Sequence, residues 1–522
     1  MRPALWNPPV EPSSAESTII KRVRRAKLFV FLRLHRHELF NETFQTELAA
    51  TYADRPKGQP PIPPAQLAMA VILQAYTRVS DDEVVEATLM DRRWQLALDC
   101  LNAETAPFSK GTFVAFRQRL IDHHLDRRLI ERTVEVAAQH QGFHPKQLRA
   151  ALDSSPLWGA GRVEDTFNLL GHALRKALGV IARQQGRGLA QVAAEADVPL
   201  LSATSLKAAL DLDWDDPAAQ TQALQIVLAT LQTVEAWTTQ QALPAPVAQA
   251  VAASVQTAHQ VQTQDVTTNA QGQPILRDGV AKERRISIED ETMRHGRKSK
   301  SQLIDGYKRH VVHDLDTQLV RAVGLTPANA PEASVTEDLA TDLAQQKIGL
   351  SELHIDRAYL SSHWVRERAD DLAIYCKAWP VRHGDYFPKT AFGWNWDTQH
   401  LRCPAGHEMP FALGEPVHFP AEGCAACTQR PRCTSSTHGR TVSVHPDELL
   451  LQELRERQMT PQGRAKLRER VTVEHTLAHV GHWQRDRARY LGLRKNLFDL
   501  RRCAVVNNLH VIAHADAIKA AN

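Results

Sequence analysis

The chain has 522 residues, of which 43% are hydrophobic, so it is long enough to form several structural units with buried cores. It lacks an apolar run of the roughly 20 residues needed to cross a bilayer, and residues 1–18 lack the apolar stretch of a signal peptide. Seven cysteines are too few for a disulfide scaffold in a chain of this length. We therefore expect a globular protein of the cytoplasm, with no membrane partner.

The small net charge of +4 hides two oppositely charged regions. Residues 189–276 contain one basic and eight acidic residues, whereas residues 455–502 contain thirteen basic and five acidic residues. A basic segment of this kind is typical of a surface that binds phosphates, because each neutralised phosphate releases its counterions. Charge alone leaves an Arg-rich solvated helix face as an equally good interpretation.

Residues 26–144 have the pattern of a helical domain. The sequence Ser80-Asp81-Asp82-Glu83 is a capping box that precedes an apolar segment with helical periodicity. The proline-rich residues 60–64 mark an earlier junction between helices.

Within this domain, a short helix capped by Thr112 would carry Arg117 and Arg119 on a different face from Phe113 and Phe116. A helix-turn-helix recognition helix has this division of basic and apolar faces, so we predict a DNA contact here. On this pattern alone an ordinary amphipathic helix is the better explanation.

Two short predicted strands end in an aspartate. Residues 148–152 form a buried run that ends at Asp153, and residues 352–355 form another that ends at Asp356. Between them we predict a helical insertion over about 167–261 and then a β-hairpin with its turn at 314–317. Helices over 332–346 and 362–370 and a strand over 373–377 complete a mixed sheet, and a long helix over 461–483 carries Glu474.

A mixed sheet flanked by helices can bring Asp153, Asp356 and Glu474 together at one edge. Three carboxylates repel one another unless cations lie between them, and oxygen-rich sites suit Mg²⁺ or Mn²⁺. Two such ions can activate an attacking oxygen and stabilise a leaving oxygen in phosphodiester displacement. Taken singly, each carboxylate is better explained by a cap, a turn or a surface charge, and only the order of the elements favours a shared site.

At this point the sequence resembles the DDE transposases of bacterial insertion sequences, which have a ribonuclease H-like core. Leu152-Asp153-Ser154-Ser155 is similar to their first-aspartate strand, and Gly306-Tyr307-Lys308 with its hairpin is similar to the next two strands. The sequence from His354 to Tyr359 resembles the second-aspartate motif, and the sequence from Arg470 to Glu474 matches the Arg-x-x-x-Glu pattern. The chain departs from many relatives at Leu467, where they have a tyrosine, and at Gly481, where they have a lysine or arginine.

The resemblance implies a transposase that cuts the ends of an insertion sequence and joins them to target DNA. It implies two Mg²⁺ or Mn²⁺ ions bound by Asp153, Asp356 and Glu474 as catalytic residues. Its partners would be terminal inverted repeats and target DNA, and the active form a homo-oligomer, a dimer on DNA, in the bacterial cytoplasm and nucleoid. The residues expected to contact DNA are Arg470, Lys308 and Arg485, together with Arg117 and Arg119.

Four cysteines lie close together at Cys403, Cys424, Cys427 and Cys433. Four thiolates can close a tetrahedral zinc site in a loop-rich segment with little core of its own. His407 is an alternative ligand. Unmetallated cysteines or an iron–sulfur cluster are the competing interpretations.

We therefore predict an α/β protein with a ribonuclease H-like mixed sheet core, an N-terminal helical domain, a helical insertion and a small cysteine-rich insertion. The competing functions are a metal-dependent nuclease without strand transfer and an inactive DNA-binding protein. The predicted units are an N-terminal helical DNA-binding domain (1–145), the core in two parts (146–166 and 291–400), the helical insertion (167–290), the cysteine-rich zinc-binding insertion (401–445) and C-terminal helices that complete the core (446–522).

Overall fold

The computed structural model describes residues 2–54, 58–141, 147–298 and 301–521. None of the helices in these ranges is long and apolar enough to span a bilayer. The predicted boundary between residues 145 and 146, and the end of the predicted helical region at His144, lie outside the described residues.

The N-terminal region is helical, as predicted. The predicted capping box at Ser80 is confirmed, because its side chain accepts a hydrogen bond from the Glu83 amide while the Glu83 side chain accepts one from the Ser80 amide. The prediction that Thr112 caps a helix is wrong: the helix begins earlier, and Ser109 accepts the hydrogen bond from the Thr112 amide. The helices are α1 (Ser14–Arg22), α2 (Lys27–Leu39), α3 (Glu42–Ala50), α4 (Pro64–Thr77), α5 (Asp81–Met90), α6 (Arg92–Leu98), α7 (Lys110–Asp122) and α8 (Leu125–Gln141).

The first strand of the sheet, β1 (Gln147–Trp158), is followed by the predicted helical insertion. The insertion has a hydrophobic core of its own, built mainly from leucine, valine and alanine. Its elements are α9 (Thr166–Gln185), α10 (Leu189–Glu195), α11 (Leu206–Leu210), α12 (Pro217–Thr239) and α13 (Ala245–Asp265), and a small hairpin of β2 (Val266–Thr268) and β3 (Pro274–Leu276) that was not predicted.

The chain then returns to the sheet. The predicted hairpin and the two later strands are confirmed, and a short edge strand is added before the hairpin. The elements are β4 (Arg294–Arg297), β5 (Leu303–Asp314), β6 (Val320–Pro327), α14 (Thr336–Gln345), β7 (Gly349–Ile355), α15 (His363–Arg366) and β8 (Ala373–Cys376).

The cysteine-rich segment forms two small sheets and a short helix. Contrary to the prediction of little core, these pack around an apolar cluster that includes Phe392, Phe411 and Phe419. The elements are β9 (Gly393–Asn395), β10 (His400–Arg402), β11 (Glu408–Pro410), β12 (Pro416–His418), α16 (Ala421–Ala425) and β13 (Thr441–Ser443).

Four helices complete the chain. They are α17 (Glu448–Met459), α18 (Pro461–Glu469), α19 (Val471–Gln484) and α20 (Leu493–Ala521). The prediction of one helix over 461–483 is wrong, because the helix is interrupted at Arg470.

The central sheet has β1 in its middle. The antiparallel strand β5 pairs with one edge of β1 and the parallel strand β7 with the other, and β8 extends the sheet beyond β7. Both β6 and β4 pair with the outer edge of β5. The result is a mixed sheet of the ribonuclease H-like type.

The residues of β1 alternate between two hydrophobic cores, as expected for a strand that is covered on both faces. Ala151 and Leu157 belong to a core shared with the N-terminal helices, α19 and α20. Ala150 and Leu152 belong to a second core with α14 and α17 on the opposite face. By this alternation Asp153 points to the face that α19 covers.

Asn508 connects α20 to the sheet. Its side-chain oxygen accepts a hydrogen bond from the Val320 amide (2.7 Å), and its nitrogen donates to the Val320 carbonyl oxygen (2.9 Å). The same nitrogen donates to Thr133 of α8. A fully buried amide thus links the C-terminal helix to β6 and to the N-terminal helices.

We expect Asn508→Ala to lower the free energy of unfolding by about 2–4 kcal/mol, because two buried backbone groups of Val320 lose their partner. Urea unfolding of the full chain measures this change. His514→Ala, at an exposed position of the same helix, is the matched control and should leave the midpoint nearly unchanged. Equal midpoints for both variants would contradict the assigned role of Asn508.

Candidate active site

An open groove of about 880 Å³ on the α19 side of the sheet contains the three predicted carboxylates. Asp153 lies on β1, Asp356 directly after β7 and Glu474 in the first turn of α19. The structure therefore brings together three residues that are separated by up to 321 positions.

The two aspartates are neighbours because of strand pairing. Leu152 of β1 and Ile355 of β7 are the last residues paired between these parallel strands. The predicted end of the first strand at Asp153 is wrong, since β1 continues to Trp158 beside β5. The pairing of β1 with β7 stops just before Asp153, although β1 itself continues. This leaves room for the Asp153 and Asp356 side chains at the end of the β1–β7 pairing.

Glu474 reaches the same edge because α19 packs on β1 and β5. Arg470, at the break before α19, joins two of the carboxylates. Its Nη1 donates to Asp153 Oδ2 (2.6 Å), and its Nη2 donates to Glu474 Oε1 (3.2 Å). Arg470 therefore pairs with Glu474, four residues later in the chain, and also bridges to the central strand.

Asp153 is the most buried of the three carboxylates. Burial raises its pKa above the usual range for aspartate, while Arg470 and the Ser154 amide oppose that rise. The nearby charges of Asp356 and Glu474 raise the pKa of Asp153 further. A site that penalises its own negative charge in this way is suited to a bound cation.

A neutral pair of buried side chains, His310 and Tyr359, lies in the sheet behind the carboxylates. His310 shares a hydrogen bond of 2.7 Å with the Tyr359 hydroxyl, and both side chains are buried. Burial lowers the pKa of His310 to about 3 and raises the pKa of Tyr359. Neither group adds charge to the site at neutral pH.

Arg309 lies in the groove and was not predicted from the sequence. Its Nε donates to the Ser155 hydroxyl (2.7 Å) and its Nη1 to the Arg485 carbonyl oxygen (3.0 Å). A Cβ atom at Gly481 would lie only 3.1 Å from Arg309 Nη2. The guanidinium of Arg309 therefore occupies the space beside position 481, where the resemblance to DDE transposases predicts a lysine or arginine.

Three more basic side chains line the groove, those of Arg485, Arg78 and Lys298, and of these only Arg485 was predicted. Arg485 is exposed and has a left-handed backbone conformation directly after α19. Arg78, at the end of α4, donates from Nη1 to the His482 carbonyl oxygen (3.1 Å) and brings the N-terminal region to the same groove. No local pattern could have identified Arg78, because its contact joins residues 404 positions apart.

Three other basic residues predicted to contact DNA have partners inside the protein and do not line the groove. Arg117 is buried and forms an ion pair with Asp81. Arg119 donates to the Thr51 carbonyl oxygen (2.7 Å), and Lys308 donates to the Ala330 carbonyl oxygen (3.0 Å). We do not include these three residues in the proposed DNA surface.

The four predicted cysteines lie around one cavity of about 230 Å³, which His407 also lines. Burial raises the pKa of Cys433, Arg440 lowers it, and the other three thiols raise it again. The cysteines thus form one cluster whose donor chemistry fits zinc.

In the described part of the chain, two groups place three metal-binding atoms within 4.8 Å of one another: His35 with Glu38 and His140, and Glu352 with His354 and Glu469. The groove carboxylates and the cysteines are more widely spaced. A pair of ions about 4 Å apart accommodates more widely spaced carboxylates, so the three acidic residues fit a two-ion site.

Family models of transposases match three segments of the chain. A transposase domain (DUF772) matches residues 21–119, and two transposase DDE domains match residues 269–379 and 402–513. Asp356 and Glu474 lie within the two DDE matches, whereas Asp153 lies outside them. No curated protein and no solved structure gives a significant match.

The three matches follow one another along the chain, whose mixed sheet presents a groove with three carboxylates beside the N-terminal helices. DDE domains of this kind use divalent metal ions and act on DNA. The chain therefore belongs to the DDE transposases of the insertion-sequence type.

Proposed function

We propose that this transposase cuts DNA at the ends of its mobile element and joins the freed 3′ ends to target DNA. The observation that carries the proposal is the convergence of Asp153, Asp356 and Glu474 from three elements on one groove. These carboxylates would hold two Mg²⁺ or Mn²⁺ ions. When bound, such ions supply activation of the attacking oxygen and stabilisation of the leaving oxygen.

The residues around the carboxylates would hold the DNA end. Arg309 and Arg485 would bind phosphates beside the scissile bond, with Arg309 taking the place of the cation that Gly481 lacks. Arg470 keeps its ion pairs in the free protein and would also reach a phosphate, since its guanidinium can bind two oxygens at once. Arg78 would extend this basic surface to the N-terminal region.

The remaining parts of the proposal concern assembly. The four cysteines would bind one structural Zn²⁺ that holds the small cysteine-rich module together. Two copies of the chain would pair the two ends of the element, and the protein would act in the bacterial cytoplasm on the nucleoid.

The first test is strand joining by the full chain. Incubation with a labelled end of the element, a target plasmid and Mg²⁺ should give joined products, because the same site catalyses hydrolysis and transesterification. Cleavage without joining would instead establish a nuclease and would contradict this part of the proposal.

Asp356→Ala should lower both reactions by more than about 10³-fold while DNA binding is retained. The matched control is Asp371→Ala, which removes an exposed aspartate that does not line the groove. An Asp356→Ala protein that cuts as fast as the parent would refute the assignment of Asp356, and so would a control that loses activity equally.

The pH dependence of cleavage should show how burial and the charge of Arg470 together set the pKa of Asp153. Ion binding needs the ionised carboxylate, so the rate should fall as the pH drops through the raised pKa of Asp153. Arg470→Ala removes a cation that lowers this pKa, and the midpoint of the acidic limb should therefore move to higher pH. Arg470→Lys should move it less, and Arg464→Ala, an exposed residue on α18, should leave it in place. An identical midpoint in Arg470→Ala and the parent would disprove the coupling.

Removal of zinc should unfold the cysteine-rich module first. A strong chelator, or Cys427→Ser, should expose the aromatic residues of that module and increase its proteolysis while the main core remains folded. Cys376→Ser changes a buried cysteine outside the cluster and should not alter the zinc content. Purified protein that contains no zinc, and that neither binds it nor responds to the chelator, would exclude the proposed ion.

A further inference from the structure

A cluster of metal-binding side chains lies outside the groove, where α2 and α8 meet α20. His35 and Glu38 are one turn apart on α2, and His140 is in the last turn of α8. His35 Nδ1 lies 2.9 Å from Glu38 Oε1, while His140 Nε2 contacts Glu38 Oε2. One donor atom from each residue lies within 4.8 Å of the other two, which is close enough for all three to bind one ion.

The side chains around the Glu38 carboxylate are suited to binding a cation. Within the described residues, the side chains that form ion pairs with the Glu38 carboxylate are imidazoles, from His35, His37 and His140. The other cluster with suitable spacing differs, because Glu352 forms ion pairs with the side chains of Lys466 and Arg149. The protein already supplies the cations there, whereas the imidazoles around Glu38 are themselves a common type of metal ligand.

Asp516 of α20 completes the arrangement. Its Oδ2 lies 3.4 Å from His140 Nδ1, on the side of the ring opposite to Glu38, and this buried oxygen receives no hydrogen bond. A histidine that binds a metal through one nitrogen usually donates the other N–H to a carboxylate, which fixes the orientation of the ring. Asp516 is placed to accept that proton.

The rings are also held in position by packing. His35 lies 4.5 Å from the Phe31 ring centroid and meets His140 edge to face at 4.7 Å. Lys519 Nζ donates to the backbone oxygen of His140 and not to a carboxylate of the cluster. All three donor side chains remain 17–25% exposed, so an ion has access from solvent.

We propose that His35, Glu38 and His140 bind one Zn²⁺ or a similar divalent ion that prefers imidazole ligands, with Asp516 positioning His140. The ion would link α2 to α8, residues more than one hundred positions apart, and through Asp516 it would connect both helices to α20. Such a link stabilises the folded chain because the unfolded chain has no preformed site.

The experiment counts bound ions on the full chain. After removal of metal with a chelator, equilibrium dialysis against Zn²⁺ should show one ion fewer on His140→Ala than on the parent. The matched control is His259→Ala, since His259 also forms an ion pair with a glutamate, Glu235, at 3.1 Å. Co²⁺ separates the cysteine cluster from this site, because thiolate ligands give an intense near-ultraviolet band that His140→Ala should retain.

A second variant keeps the test valid if His140→Ala folds poorly. Glu38→Gln preserves the side-chain volume and should also lose one ion and the rise in melting temperature that Zn²⁺ gives the parent. Asp516→Asn should keep the ion but bind it about 10- to 100-fold more weakly. A full complement of ions at parental affinity on Glu38→Gln or folded His140→Ala would overturn the proposal.

Discussion

The ion pair between Arg470 and Asp153 is the interaction on which the candidate site depends. Asp153 belongs to the middle strand of the sheet, so its position is fixed by β5 and β7. The helix α19, which packs on this strand, begins more than three hundred residues later in the chain. Arg470 makes that connection at the break between α18 and α19. The same guanidinium also contacts Glu474, so one side chain sets the distance between strand and helix and offsets the repulsion between their carboxylates.

A positive charge lies in the groove with the carboxylates, and it comes from β5 and not from α19. Gly481 leaves space on α19, and Arg309 of β5 fills that space while it remains anchored to Ser155 and to the backbone of Arg485. A cation on an interior strand of a sheet has less freedom than one on a helix surface. The loss of a family residue at one position therefore need not mean the loss of its charge in the site.

The sequence was sufficient to predict the elements that depend on local patterns. The capping box at Ser80, the hairpin of β5 and β6, and the strand before Asp356 all follow from short-range periodicity and turn residues. The full length of β1 could not be predicted, since its polar residues after Asp153 pair with β5 and are not a strand end. Arg78 and Arg309 were missed for a related reason: their place in the groove depends on contacts between distant segments.

The core shared by the N-terminal helices and α20 affects the order in which the chain can fold. The apolar residues of α4 pack against α20, which starts at Leu493. They therefore lack this packing partner while the segments between α4 and α20 are synthesised. At about 10 residues per second this interval lasts roughly 40 s. Arg78, the residue that follows α4, contacts the His482 carbonyl oxygen of α19 in the groove. The N-terminal helices can therefore complete their shared core only after α20 has been synthesised.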